Sequence, residues 1–292
     1  MQSAAPGFLD HTRLDLDAAG HIRYRVEQSF RYAYTTPVTS LAQRLVVVPR
    51  RRHGGLRRRS HRLRVLGAAH ARCTEQDRAG NTVVTVTADH VDEAVEFRLT
   101  ATLDRVVGAG PPVLPAGTLR DPDLLDPTRL TQGDAALREL AAGCASVATD
   151  PGELAGIVCA RVYAALTYRF GLTTVRTTAA EALAGGAGVC QDSAHVMLAV
   201  CRLLALPARY VSGHLLGQGG THAWVEVLVP RDGVAVVQAF DPCHGRPADN
   251  RYVTVAVGRD YADVAPVSGT FVGPPGGTLT STRHVGVVAV SG

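Results

Sequence analysis

GVCQDSAHVMLAVCRLLALPARYVSGH, residues 188–214, decides the fold. It opens on a glycine-rich turn, GGAGVC at 185–190, and runs into alanine and leucine. Residues Cys190, Ala194, Met197, Leu198, Cys201, Leu204 and Ala205 recur at helical spacing and share one face. The pattern predicts a helix from about 190 to 205, stopped by Pro207. Strand-like segments follow: ARYVSGHLL (208–216), HAWVEVLV (222–229) and VAVVQAFDP (234–242). This half reads as α+β, a central helix packed on an antiparallel sheet.

Upstream of the stretch, more helices announce themselves. In TDPGELAGIVCARVYAALTYRF (149–170), Asp150 is placed to cap, Pro151 suits the first helical position, and Glu153 completes a capping box. Thr178 and Glu181 repeat the device, and Gly185 ends that short helix. Further back the period changes to two. HIRYRVEQSFRYAY (21–34) sets Ile22, Tyr24 and Val26 against Arg23, Arg25 and Glu27. NTVVTVTADHVDEAVEFRLTATL (81–103) holds two more such runs after the turn signal DRAGN. Pro, Gly and Asp crowd residues 104–130. The expected organisation is an extension at 1–19, an antiparallel β-sandwich-like domain at 20–105, a linker at 106–130 and a second domain at 131–292.

Length and composition agree. At 292 residues, 46% apolar and 19% charged, the chain suits two domains with cores. No apolar run reaches the ~18 residues of a membrane helix, and the first twenty residues lack an apolar signal core. The expectation is a cytoplasmic protein with no membrane partner. Six cysteines form no CxxC pair, so thiols are expected, with no metal site and no cofactor. Residues 50–64, RRRHGGLRRRSHRLR, carry eight arginines and no acid. Without interleaved aromatics this reads as a solvated surface, nucleic acid is an unlikely partner, and an acidic partner is the functional alternative.

The chemistry concentrates at Cys190. A helix N-terminus stabilises a thiolate through unpaired N–H groups and the helix dipole, and the Cys190 N–H itself can serve a developing oxyanion. A base is needed. His222 opens one strand and Asp241 closes the next, across the turn PRDG. With Arg231-Asp232 at the turn centre the two lie directly opposite; with Asp232-Gly233 they lie diagonally. Either register puts them on one sheet face, together with Trp224 and Glu226, with Ala223, Val225 and Val227 behind. A Cys–His–Asp triad follows as a candidate: Cys190 attacks, His222 carries the proton, Asp241 orients the imidazole. Trp224 is a candidate wall of the site. His195 and Cys243 read as packing residues, and Asp192 as a complement to the helix dipole.

GVCQDSAHVMLAVCRLLALPARYVSG, HAWVEV, AFDP and VAVGRDYADVAPVSGT resemble the bacterial transglutaminase-like superfamily in order and spacing over about residues 165–275. Residues 20–105 resemble the β-rich domain that precedes it. The resemblance implies a papain-like arrangement in which Cys190, His222 and Asp241 are nucleophile, base and acid. Within the shared segment, Tyr261 is a candidate to line the cleft, although a structural role for GRDYADVAP is favoured. Three positions depart from the pattern: GVAVVQ replaces a common tryptophan, Cys243 a threonine, and His214 a tyrosine. His214 is thereby a candidate cleft residue. The function implied is acyl transfer from a peptide or protein amide through a thioester, most simply as a peptidase or amidase. A transamidase or amide synthase and a catalytically idle scaffold are the alternatives.

Overall fold

The computed structural model describes residues 7–292; residues 1–6 of the expected extension lie outside the described residues. Strands β1 (His21–Ala33), β2 (Val38–Val48), β3 (Arg52–His53), β4 (Leu56–Leu66), β5 (Ala71–Gln76), β6 (Thr82–Val91) and β7 (Ala94–Val106) build the first half. The second half holds β8 (Val113–Pro115), α1 (Pro122–Leu125), α2 (Ala135–Ala145), α3 (Pro151–Ala165), β9 (Thr167–Tyr168), α4 (Ala179–Gly185), β10 (Ala187–Gly188) and α5 (Cys190–Leu203). It continues with β11 (Ala208–Leu215), β12 (His222–Arg231), β13 (Val234–Asp241), β14 (Arg246–Pro247), β15 (Tyr252–Gly258) and α6 (Tyr261–Val264), then β16 (Val267–Val272) and β17 (Thr278–Ser291).

Two antiparallel sheets, β17-β1-β7-β4-β3 and β16-β2-β6-β5, face each other. Alternation in β1 is alternation of burial, with Ile22, Tyr24 and Val26 inside and His21 and Arg23 outside. Phe30, Phe97 and Leu99 of one sheet meet Leu41, Leu45 and Val86 of the other in a shared core. The domain at 20–105 is therefore completed from the far end of the chain. Residues 267–291, expected in the second domain, pair as β16 with β2 and as β17 with β1. Without them β1 and β2 would each expose an unpaired edge.

The arginine-rich stretch forms β3 and β4. Arg51, Arg52, Arg57, Arg59, Arg62 and Arg64 are exposed. Arg50 donates to Ala79 O and Asn81 Oδ1, and Arg58 to Pro49 O and Thr82 Oγ1. Those two arginines therefore satisfy carbonyls near the sandwich rim.

In the second half the sheet runs β14-β13-β12-β11-β15, antiparallel throughout, with β8 on the free edge of β13. The expected linker is thus a structured strap. It lends a strand to this sheet and buries Leu124 and Leu130. Asp232 (φ 49°) and Gly233 (φ 77°) form the left-handed pair of a tight hairpin, which sets Arg231 opposite Val234 and Val225 opposite Phe240. This is the diagonal register of the two expected. Helix α3 begins on its expected cap, with Asp150 accepting from the Gly152 and Glu153 N–H groups, but without the reciprocal Glu153 bond of the expected capping box. The reciprocal Thr178–Glu181 cap opens α4.

Helix α5 departs from its expected one-faced burial. Every residue from Gln191 to Arg202 is buried, because β11 and β12 cover one side while α2, α3 and α4 cover the others. The polar face of β12 is also covered. His222, Trp224 and Glu226 are each at most 3% exposed, since the β-sandwich lies against that side of the sheet. Leu216 and Val253 share a core with Ile22, Tyr24 and Leu103.

Candidate active site

Cys190 is the first residue of α5 and is partly buried. Its position is fixed by the turn before it. Asp192 reaches back so that Oδ2 accepts from the Val189 N–H (2.7 Å) and the Thr173 hydroxyl (2.7 Å). That fold-back needs Gly188: a Cβ there would stand 2.6 Å from Asp192 Oδ2. Asp192 therefore caps the helix start, close to its expected part as a dipole complement. Burial raises the Asp192 carboxyl, while its hydrogen bonds from Val189 and Thr173 oppose the rise.

His222, at the head of β12, bonds through Nε2 to Asp241 Oδ2 at 2.7 Å, and the Cys190 thiol is among the groups that raise its affinity for a proton. With Nε2 committed to the carboxylate, Nδ1 is left for the sulfur. Burial alone would lower the imidazole's affinity for a proton. The Asp241 carboxylate and the Cys190 thiol outweigh it and lift His222 to about 9. Asp241, at the end of β13, is fully buried. Burial pushes its carboxyl up, but donors led by His222 and Tyr252 hold it down at about 2. The structure thus joins His222 and Asp241 by a hydrogen bond and sets Cys190 within electrostatic reach of the imidazole.

Two further members of this cluster escaped the sequence reading. Tyr252 of β15 donates its hydroxyl to Asp241 Oδ2 at 2.7 Å, and His244 bonds the same oxygen through Nδ1 at 2.7 Å. The backbone N–H groups of Cys243 (2.9 Å) and His244 (3.3 Å) donate to Oδ1. His244 carries a weak sequence signal, a second imidazole three positions past the acid. Tyr252 carries none, because its approach to Asp241 depends on a strand three places away in the sheet.

His222, Asp241 and His244 bring ligand-type atoms within 4.8 Å of one another, so they are the group among the described residues that could hold a metal ion. The spacing argues for protons. Ligands at about 2.0–2.2 Å around a tetrahedral ion lie roughly 3.4 Å apart, whereas both imidazole nitrogens sit 2.7 Å from one carboxylate oxygen.

Of the three proposed cleft residues, Trp224 stands against the imidazole, while His214 and Tyr261 lie away from the site. Trp224 is 1% exposed and stacks beneath His222 (centroids 6.2 Å apart, planes at 26°), with its other flank on the edge of Tyr252. It backs the imidazole from the protein side. His214 is 1% exposed and faces β1, where its Nε2 meets Gln28 Nε2 at 2.7 Å; burial lowers it to about 4. The sandwich covers it, so it lines no cleft. Tyr261 sets its ring edge against Tyr210 and donates its N–H to His195 Nε2 at 3.3 Å. Around it, Asp260 caps α6 and Asp263 pairs with Arg259 at 3.0 Å, so GRDYADVAP is structural. His195 is fully buried, and burial lowers it to about 4. Among the other thiols, burial raises Cys159, Cys201 and Cys243 to about 12, with the Cys190 thiol contributing at Cys243.

Residues 138–242 match the model of the transglutaminase-like superfamily, and residues 24–104 match the bacterial transglutaminase-like N-terminal region. Cys190, His222 and Asp241 all lie inside the first match. Uncharacterized proteins of Mycobacterium tuberculosis and Mycobacterium bovis are 34% identical over 291 residues, covering 88% of this chain and 90% of theirs. The crystal structure of a candidate cysteine protease from Cytophaga hutchinsonii superposes with a TM-score of 0.74 at 22% identity, over 92% of this chain and 91% of that one. At that identity the likeness is one of fold.

Proposed function

This chain belongs to the transglutaminase-like superfamily, and on that footing we propose that it is a cysteine hydrolase acting on peptide or protein amide bonds. One observation carries the reading: the imidazole between Cys190 and Asp241 is held by a buried carboxylate and lifted to about 9. Such an imidazole can carry at neutral pH the proton that the Cys190 sulfur surrenders when it attacks. The sulfur attacks the amide carbonyl, and a C–S bond forms. The C–N bond breaks as His222 delivers its proton to the leaving amine. His222, now neutral, takes a proton from water. The water oxygen attacks the thioester, the acid leaves, and the thiol returns. The Cys190 N–H at the start of α5 is the proposed oxyanion donor.

Hydrolysis is preferred over transfer to an amine because Cys190 is only partly buried. A thioester there faces water, and an amine acceptor competes only where water is excluded.

Cys73, exposed on β5, supplies an internal standard for the test. Iodoacetamide near neutral pH is expected to alkylate Cys190 at least ten times faster than Cys73, and His222→Ala is expected to abolish the excess. Equal rates at the two thiols in the wild-type protein would refute the activated pair and favour an idle scaffold. Mass analysis of a peptide library with and without an added amine then separates hydrolysis from transamidation: acids in both reactions support the proposal, amides overturn its second half.

A further inference from the structure

Tyr163, Tyr168, Phe170, Leu172 and Val175 stand 54%, 62%, 89%, 62% and 53% exposed. Twelve large apolar side chains are exposed among the described residues, so five of them fall between 163 and 175. Scattered exposed apolar residues need no explanation, but a run of this density does.

The segment is also fastened to the start of α5. Strand β9 pairs in parallel with β10, and the Arg169 N–H donates to Gly188 O at 2.8 Å, two residues ahead of Cys190. Past Leu172, the Thr173 hydroxyl bonds Asp192 Oδ2 at 2.7 Å, and Gln191 Nε2 reaches Thr174 O at 3.5 Å. Phe170 and Leu172 therefore project from a short arc pinned on both sides to the turn that carries the thiol. At its near end, Tyr163 lies against Gly245, where a Cβ would stand 2.8 Å from the ring. Gly245 follows His244, so the aromatic run continues to the loop that carries the acid. The Tyr168 hydroxyl is raised first by burial and then by the Cys190 and Cys243 thiols, which places it within electrostatic reach of the nucleophile.

We propose that Tyr168, Phe170 and Leu172 form the acyl-side subsite of the Cys190 centre and select amides whose carbonyl residue bears a bulky apolar side chain. The inference rests on the acyl-transfer reading and adds its substrate class. Covering such rings removes apolar surface from water that the free enzyme cannot bury itself, and a flexible arc would lose that gain to ordering; this arc is already fixed.

Acetyl-aminoacyl chloromethyl ketones that differ only in the side chain beside the ketone test it on the full chain. Each alkylates a thiolate by C–S bond formation with loss of chloride. Labelling of Cys190 followed by mass spectrometry should run 10–100-fold faster with the Phe and Leu probes than with the Gly and Asp probes. Phe170→Ser with Leu172→Ser should bring the Phe probe down to the Gly rate, with an unchanged melting transition as the check on folding. Equal rates for all probes on the wild type, while iodoacetamide still prefers Cys190 over Cys73, would overturn the subsite alone. Loss of the iodoacetamide preference would remove the acyl-transfer reading beneath it. Light scattering closes the remaining route: a dimer that the double substitution dissolves would mean that a second copy of the chain covers this surface, and the subsite would be rejected.

Discussion

Strand β12 carries two carboxylate–imidazole pairs on one face, and only one has a thiol beside it. At its head His222 meets Asp241 at 2.7 Å, with side chains 1% and 0% exposed. Four residues on, Glu226 meets His53 of the sandwich at 2.6 Å, at 3% and 10%. By burial and distance the two are near twins. Their remaining partners differ. Glu226 is also held by Arg209 at 2.7 Å, a cation that does not give up its proton in proteins. Asp241 is held by two imidazoles and a phenol, groups whose protons can move. The Glu226 cluster joins the two halves of the chain; the Asp241 cluster connects to Cys190. A buried carboxylate–imidazole pair is therefore architecture by default. It becomes chemistry when the free imidazole nitrogen meets a nucleophile that solvent can reach.

Exchanging each acid for its amide should pull the pair apart most sharply. Asp241→Asn keeps the shape but leaves the imidazole without its anion, and should lower kcat by about 10⁴ with the fold retained. Glu226→Gln should leave kcat within a few-fold but lower stability by about 3–5 kcal/mol, because the Arg209 guanidinium stays buried without a counter-charge. Steady-state kinetics and urea unfolding of both variants read the two effects separately. If Glu226→Gln lost as much rate as Asp241→Asn, the division between junction and site would collapse.

The pH dependence of stability sharpens the same contrast. His222 rises in the folded protein from an ordinary 6.5 to about 9. Its contribution is fully present below 6.5 and is lost as pH climbs through 9, on the order of 3 kcal/mol. Glu226 and Asp241, both held down at about 2, contribute above their ordinary values and lose that contribution as pH falls toward 2. His195 and His214, buried neutral and lowered to about 4, destabilise the fold as pH drops from 6.5 to 4. Substituting His222→Gln should therefore flatten the alkaline side of the curve between 6.5 and 9 and leave the acid side in place. An alkaline slope that survives the substitution would assign the loss to some other group.

What could be read in advance follows a physical line. Alternation in β1 and the parity of the hairpin between β12 and β13 are local, and either two-residue turn puts His222 and Asp241 on one face, whereas a three-residue loop would part them. Parity says nothing about what covers that face. His214 therefore reads as a cleft residue where the sandwich covers it. The return of β16 and β17 to β2 and β1 spans more than 200 residues, and no local pattern encodes such pairing. Strand β8 was hidden by the prolines and glycines that flank it. The periodicity of α5 marked its sheet-facing side, while the burial of its other sides came from three helices whose placement the sequence does not spell out.

His244 tests the finest version of the contrast. It is one of five donors on Asp241, its side chain is 32% exposed, and two of the other four are backbone N–H groups that no substitution of its side chain removes. Removing it should therefore cost less than removing Tyr252, whose hydroxyl bond is buried. A buried bond to a charged acceptor is worth about 1.5–3 kcal/mol, and solvent reduces that for an exposed donor. Tyr252→Phe should lower kcat/KM by about 10-fold, and His244→Ala by about 3–5-fold. His244→Asn can present an amide N–H toward Oδ2 and should recover most of the difference. A positioning role also predicts that His244→Ala shifts the pH profile of Cys190 alkylation, since a less firmly held carboxylate supports less charge on His222; packing alone would not move it. A profile identical to wild type with the rate still down would leave His244 as a filler of space beside the acid.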